Sequence, residues 1–211
     1  MHNIFTTAVD PVVAAATEHL NGAVVFGFKN KSTLQGCVLS GDVSPSVALG
    51  SFSSTGGSGF PFREDTCFDS GITTSGADGE FAMFHATGVS LSGNANPIFI
   101  GDLISTAAAF NLRGLASSVS GYYGEVYMGA GATLADGTFA NAQGELYQNN
   151  VSIAGPITPT GHPSGNTVYL GGYSNTASRA CYCDMTYAVY GTSIKTSRSA
   201  AVAAIHAAMT G

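Results

Sequence analysis

Charge is what this chain has least of. Only 9% of its 211 residues are Asp, Glu, Lys or Arg, against about 25% in an average soluble domain. The seven cations form no basic cluster, so electrostatic binding of nucleic acid has almost no footing. No apolar run approaches the ~18 residues a membrane-spanning helix needs, so membrane insertion is not expected. The first 22 residues have no basic start, and Asp10, Pro11 and Glu18 break their apolar stretch. A classical secretory signal is therefore not expected. Tryptophan is absent altogether.

In place of charge the chain has glycine, at 28 of 211 positions, nearly twice the usual ~7%. Ser, Thr, Asn and Gly take the surface positions that Lys and Glu normally fill. Low charge with a mean hydropathy of +0.21 is the reverse of a disordered composition. The length suits one domain over residues 1–211, large enough to bury roughly 70% of its unfolded surface. Cys37, Cys67, Cys181 and Cys183 allow three disulfide pairings. Buried free thiols are the first expectation, a disulfide the second and a metal site the last, since no histidine lies at ligand-like spacing. Cys181 and Cys183, two apart in an extended stretch, should share a face.

The local signals are mostly those of strands. Short segments at 23–29, 33–39, 47–53, 66–68, 80–85, 98–100, 122–128, 145–148, 151–154, 167–170 and 180–190 are separated by Gly, Ser and Asn turns, the pattern of an all-β sandwich or barrel. The clearest unit is "GELYQNNVSIAG" at 144–155. Asn149-Asn150 suits a two-residue hairpin that needs positive φ at both central positions. Leu146 should then face Ile153, Tyr147 Ser152 and Gln148 Val151. With a short polar tip and ordinary cross-strand pairs, this hairpin reads as scaffold. Residues 52–60, "FSSTGGSGF", read as a flexible loop.

Two helices frame the strands. Asp10-Pro11 is a cap followed by a proline at the first helical position, and Asn21-Gly22 is a stop, which predicts a helix over 11–20, although Val12-Val13 would also suit a strand. The C-terminal "KTSRSAAVAAIHAAMTG" predicts a helix at about 197–209, capped by Thr196 or Ser197, with Val202, Ile205 and Met209 on one buried stripe.

The order of the last features is informative. The hairpin "ELYQNNVSIAG" is followed by "NTVYLGGYSN", then by the long "RACYCDMTYAVYGTSI", then by the final helix. Over about 144–209 this resembles the C-terminal half of laminin-G-like domains, in the concanavalin A-like lectin and glucanase superfamily. Asn150 stands where the family turn has glycine, the long strand carries fewer charges, and the helix lacks the family's glutamate. The resemblance implies an antiparallel two-sheet jelly-roll sandwich with a short C-terminal helix. Calcium-binding members place an Asp after a core strand, which nominates Asp102, in "IFIGD", as a metal position. Calcium is otherwise suggested only by 63–80, "REDTCFDSGITTSGADGE", which reads better as a solvated acidic loop. No other cofactor is implied.

Catalytic signatures are missing. The glycosidases of the superfamily use alternate carboxylates on one strand, Glu-x-Asp-x-(x)-Glu. None of Glu18, Glu64, Glu80, Glu125 and Glu145 shares a strand with a second carboxylate at that spacing. No G-x-S-x-G, Walker or H-E-x-x-H motif occurs, and the five histidines are scattered. Of nine tyrosines, most read as sheet packing. Tyr173, in the loop after "YLGG", with Asn175 two residues on, is the loop-borne candidate for ligand binding.

The expectation is thus a protein without enzymatic activity. Its low charge suits repeated subunit contacts, pointing to a structural, decoration or surface protein of a viral (phage) particle. Its partners would be copies of itself, other virion proteins and host-surface glycans. A carbohydrate-binding adhesin is the alternative, and a glycan-cleaving enzyme is the least favoured.

Overall fold

The computed structural model describes residues 8–63, 65–76, 79–90, 97–102, 109–115, 118–158, 161, 164–173 and 181–211. In chain order the elements are α1 (Pro11–His19), β1 (Leu20–Asn21), β2 (Val24–Gly27), a 3-10 turn (Gln35–Cys37), β3 (Val38–Ser40), β4 (Ser46–Leu49), β5 (Phe60–Phe62) and β6 (Cys67–Ser75). Then follow β7 (Phe81–Ser90), β8 (Ile98–Gly101), β9 (Ala109–Leu115), β10 (Ser118–Gly124), β11 (Val126–Thr133) and β12 (Gly137–Ala142). The chain closes with β13 (Leu146–Gln148), β14 (Val151–Ala154), β15 (Ser164–Leu170), β16 (Tyr182–Gly191), β17 (Ser193–Ile194) and α2 (Arg198–Thr210).

These strands form an antiparallel jelly-roll sandwich. One sheet has the order β11-β10-β9-β8-β15-β6-β4. The other runs β14-β13-β12-β7-β16-β2-β3, with β5 added beside β16. The expected fold class holds.

Phenylalanine fills the space between the sheets. Phe28, Phe60, Phe62 and Phe68 pack with centroids 4.9–6.3 Å apart, while Phe84 stacks on Phe99 at 4.8 Å and on Phe139 at 5.1 Å. Such pairs add to the burial of large apolar rings. Gly171 belongs to this packing: at φ +76° its missing side chain leaves room for the Phe62 ring, which any Cβ would strike.

A second apolar layer lies behind the larger sheet. Val25, Phe81, Met83, Ala140, Ala142 and Val189 turn away from the sandwich interior and meet Val12 and Ala16 of α1 and Ala201, Val202, Ile205 and Met209 of α2. The central strands of this sheet are buried on both faces, so "AVVFGF" and "FAMF" read as continuous apolar runs. Both helices start as expected. Asp10 accepts the Val12 N–H at 2.8 Å and Ser197 accepts the Ala200 N–H at 3.2 Å. No helix among the described residues is long and apolar enough to cross a membrane.

Several expectations need correction. Asn149 and Asn150 do take positive φ, 47° and 65°, but a bulge places Leu146 opposite Ala154, not Ile153, while the other two pairs stand. The segment 122–128 is two strands, since the chain reverses at Gly124, φ 63°, and Glu125. The segment 33–39 is a 3-10 turn leading into β3. The acidic stretch 63–80 is no solvated loop: residues 67–75 are β6, and Glu80 is fully buried. Within 52–60, the Phe52 ring stacks on Phe60 at 5.2 Å. All four cysteines are free and buried, with Cys181 Sγ 3.6 Å from Cys183 Sγ.

Candidate functional site

The two sheets differ in what covers their outer faces. The helices cover the larger one. No described helix packs on the smaller, and there the register lines up one row across six strands. Tyr127 on β11 faces Tyr122 on β10, Tyr122 faces Asn111 on β9, and Asn111 faces Gly101 on β8. Gly101 faces Tyr169 on β15, and Tyr169 faces Asp69 on β6. Directly opposed residues share a face. Phe110, Leu112, Tyr123, Met128, Val168 and Leu170, their neighbours along the strands, point into the interior core, so this row points outward. Tyr127 is 39% exposed, and Tyr122, Tyr169 and Tyr173 are half-buried.

Arg113 sits in this row of rings. Two residues from Asn111, it points to the same side, and its guanidinium carbon lies 4.6 Å from the Tyr122 ring centre and 5.2 Å from that of Tyr127. The two rings are 5.4 Å apart. The side chain is only 8% exposed, and its Nε is buried without a partner. The one ion pair among the described residues is Arg63 with Asp184, elsewhere.

Asn141, fully buried on β12, supports the row from beneath. Its Nδ2 crosses the sandwich and donates to the carbonyls of Asn111 at 3.2 Å and Tyr122 at 3.0 Å, while its Oδ1 accepts the Gly144 N–H at 3.2 Å. The Asn111 carbonyl leans inward over Gly121, where any Cβ would collide with it. Glycine at 121 and asparagine at 141 together permit that tilt.

At the end of β8 two acids are buried. Asp102 Oδ1 accepts the Phe110 N–H and Oδ2 accepts the Asn166 Nδ2, each at 2.6 Å. Glu80 Oε1 accepts from the Ser75 N–H at 2.6 Å and the Tyr190 hydroxyl at 2.7 Å, and its Oε2 is buried without a partner. Burial raises both carboxyl pKa values, and the Asp102 charge raises that of Glu80 further. The hydrogen bonds oppose the shift without cancelling it.

The structure treats the sequence candidates differently. Tyr173 lies beside the row, its ring 5.6 Å from that of Tyr169 in an edge contact. Burial, Tyr169 and Asp102 raise its pKa. Asn175 lies outside the described residues. Asp102 uses both carboxylate oxygens to hold the start of β9 and Asn166, and no group of three or more His, Cys, Asp or Glu suited to a metal occurs among the described residues. The contact of Arg113 with Tyr122 and Tyr127 was not legible as a unit. Reading the reversal at Gly124-Glu125 in "GYYGEVY" would have set the two tyrosines opposite each other.

No protein-family model and no curated sequence matches the chain. Solved structures do. Trypanosoma rangeli sialidase, in complex with 2,3-difluorosialic acid as a covalent intermediate, superposes with a TM-score of 0.59 at 11% identity, over 93% of this chain and 38% of that one. A mutant of the same sialidase displaying trans-sialidase activity gives 0.58 at 15% identity, over 97% and 36%. The carbohydrate-binding module CBM40 of the Ruminococcus gnavus IT-sialidase, bound to α2,3-sialyllactose, gives 0.45 at 12% identity, over 62% and 83%. The chain thus spans little more than a third of the sialidases it resembles, and at these identities the likeness concerns the fold.

Proposed function

We propose that the chain is a non-catalytic glycan-binding module and that the outer face of the smaller sheet is its binding surface. One observation carries this reading: the row of half-exposed tyrosines around Arg113 on the sheet face that no described helix covers. Tyrosine rings offer flat apolar faces to the C–H side of a sugar, with hydroxyls to bind its rim. The named sialidase complexes give glycan recognition a precedent on proteins that contain this fold.

A non-catalytic role suits the acids. Glu80 feels the Asp102 charge, but both acids are fully buried and held by N–H and O–H donors, an arrangement unsuited to proton exchange with a bound sugar. The laminin-G-like resemblance of residues 144–209 is compatible with the sandwich.

A glycan array followed by titration calorimetry tests the reading. Tyr122→Ala and Tyr127→Ala should each weaken binding by about tenfold, ~1.4 kcal/mol, while Val151→Ser, on the exposed edge of the other sheet, should leave it unchanged. An array with no bound glycan, or equal binding by the tyrosine variants, would remove this function.

A further inference from the structure

Arg113 is the cation beside a row whose acid, Asp69, stands at the far end. Its guanidinium is set against two rings, is largely withdrawn from water and has no carboxylate beside it among the described residues. A desolvated cation without an anion destabilises a fold, so its placement here asks for another reason. Two rings on one side hold the guanidinium in place, and an arginine so held can grip a carboxylate through two parallel hydrogen bonds.

The surroundings define the anion further. The other described cations stand elsewhere: Lys29 over Tyr187, Lys31 in the loop after β2 bonded to Thr55, Arg63 paired with Asp184, Lys195 donating to Thr17 at the end of α1, and Arg198 at the start of α2. The chain's net charge is −6. A polyanion such as a sulfated polysaccharide needs several cations in line and would meet repulsion here. A single carboxylate needs one. The row is also polar along its length, with Arg113 at the β9–β11 end and Asp69 at the β6 end.

We propose that the face selects glycans carrying a single carboxylated sugar, whose carboxylate is held by Arg113 beside Tyr122 and Tyr127. This rests on the glycan-binding reading and adds to it a ligand class.

The test compares, by calorimetry, sialyllactose, its derivative with the carboxyl reduced to an alcohol, lactose, a glucuronic-acid-terminated oligosaccharide and a heparin-derived sulfated oligosaccharide. One of the two carboxylated probes should bind at least about tenfold more tightly than its neutral counterpart, and the margin should shrink as salt rises from about 50 to 500 mM. Arg113→Gln should abolish the margin, and Arg113→Lys should keep part of it. Should Arg113→Gln melt early, the salt series and the lysine variant carry the test. Equal binding of acidic and neutral probes, both lost in Tyr122→Ala, overturns the carboxylate selectivity and leaves the glycan module standing. Preferential binding of the sulfated probe overturns it as well. Failure of every glycan on an array removes both readings.

Discussion

Replacing Asn141 with alanine should cost far more than its small side chain suggests. The amide makes three hydrogen bonds inside the sandwich, two to carbonyls of the opposite sheet and one from the Gly144 N–H. Nothing from solvent can replace them, because the residue is 0% exposed. At roughly 0.5–1.5 kcal/mol net per bond, with the Gly144 N–H left buried and unpaired, the loss should be about 2–4 kcal/mol. For a domain of this size that lowers Tm by roughly 4–16 °C. Urea or thermal unfolding of the purified variant measures it. Asn141→Leu separates the two contributions, since it fills the space but offers no donor. If the hydrogen bonds dominate, the leucine variant should be as damaged as the alanine one. Recovery of near-normal stability by leucine would show that the cost was an emptied cavity, and a loss below about 0.5 kcal/mol in both variants would refute the inter-sheet role altogether.

Two other outcomes follow from buried groups. Glu80 has a carboxyl pKa raised by burial, so the folded state holds its proton more tightly than the unfolded chain. Its contribution is complete below the ordinary glutamate range and declines as pH rises through the folded value. Glu80→Gln should therefore flatten the fall of Tm with rising pH, and parallel profiles for the two proteins would contradict the shift. The thiols of Cys37 and Cys67 are pushed up to about 12 by burial, and that of Cys181 is also raised. A disulfide-exchange reagent should titrate no thiol in the native protein and four in denaturant, without added reductant; a count of two would mean a disulfide.

The sequence was legible where structure is local. Asp10-Pro11, Asn149-Asn150 and Ser197 each specify their turn or cap through their own side chains, and all three act as expected. It was opaque where both faces of a strand are covered by small residues. In β12, "GTFANA", Phe139 and Asn141 point inward while Ala140 and Ala142 meet the helix layer, so no hydrophobic alternation marks a strand. β9, "AFNLRGL", was missed too, because its outward positions Asn111 and Arg113 are polar yet buried. The site depends on that same strand. Arg113 meets Tyr122 and Tyr127 only through the register of β9, β10 and β11, and tyrosines in a strand look the same from sequence whether they pack or bind. Tyr173 was found because it follows a glycine turn, but it stands at the margin of the row.

The helix layer behind the larger sheet also sets which way the molecule faces. α1 and α2 lie together on one side, and the tyrosine row lies on the other. A sheet-to-sheet and a helix-to-sheet spacing of about 10 Å each put roughly 20 Å between them. Copies tethered through their helix side would all present their rows in one direction. A contact too weak to hold one copy could then gain about 10²–10⁴ in strength through effective concentration, provided the spacing of the copies matches that of the ligands. Immobilising the protein through either helix, rather than through lysines at random, is the orientation in which such avidity would show.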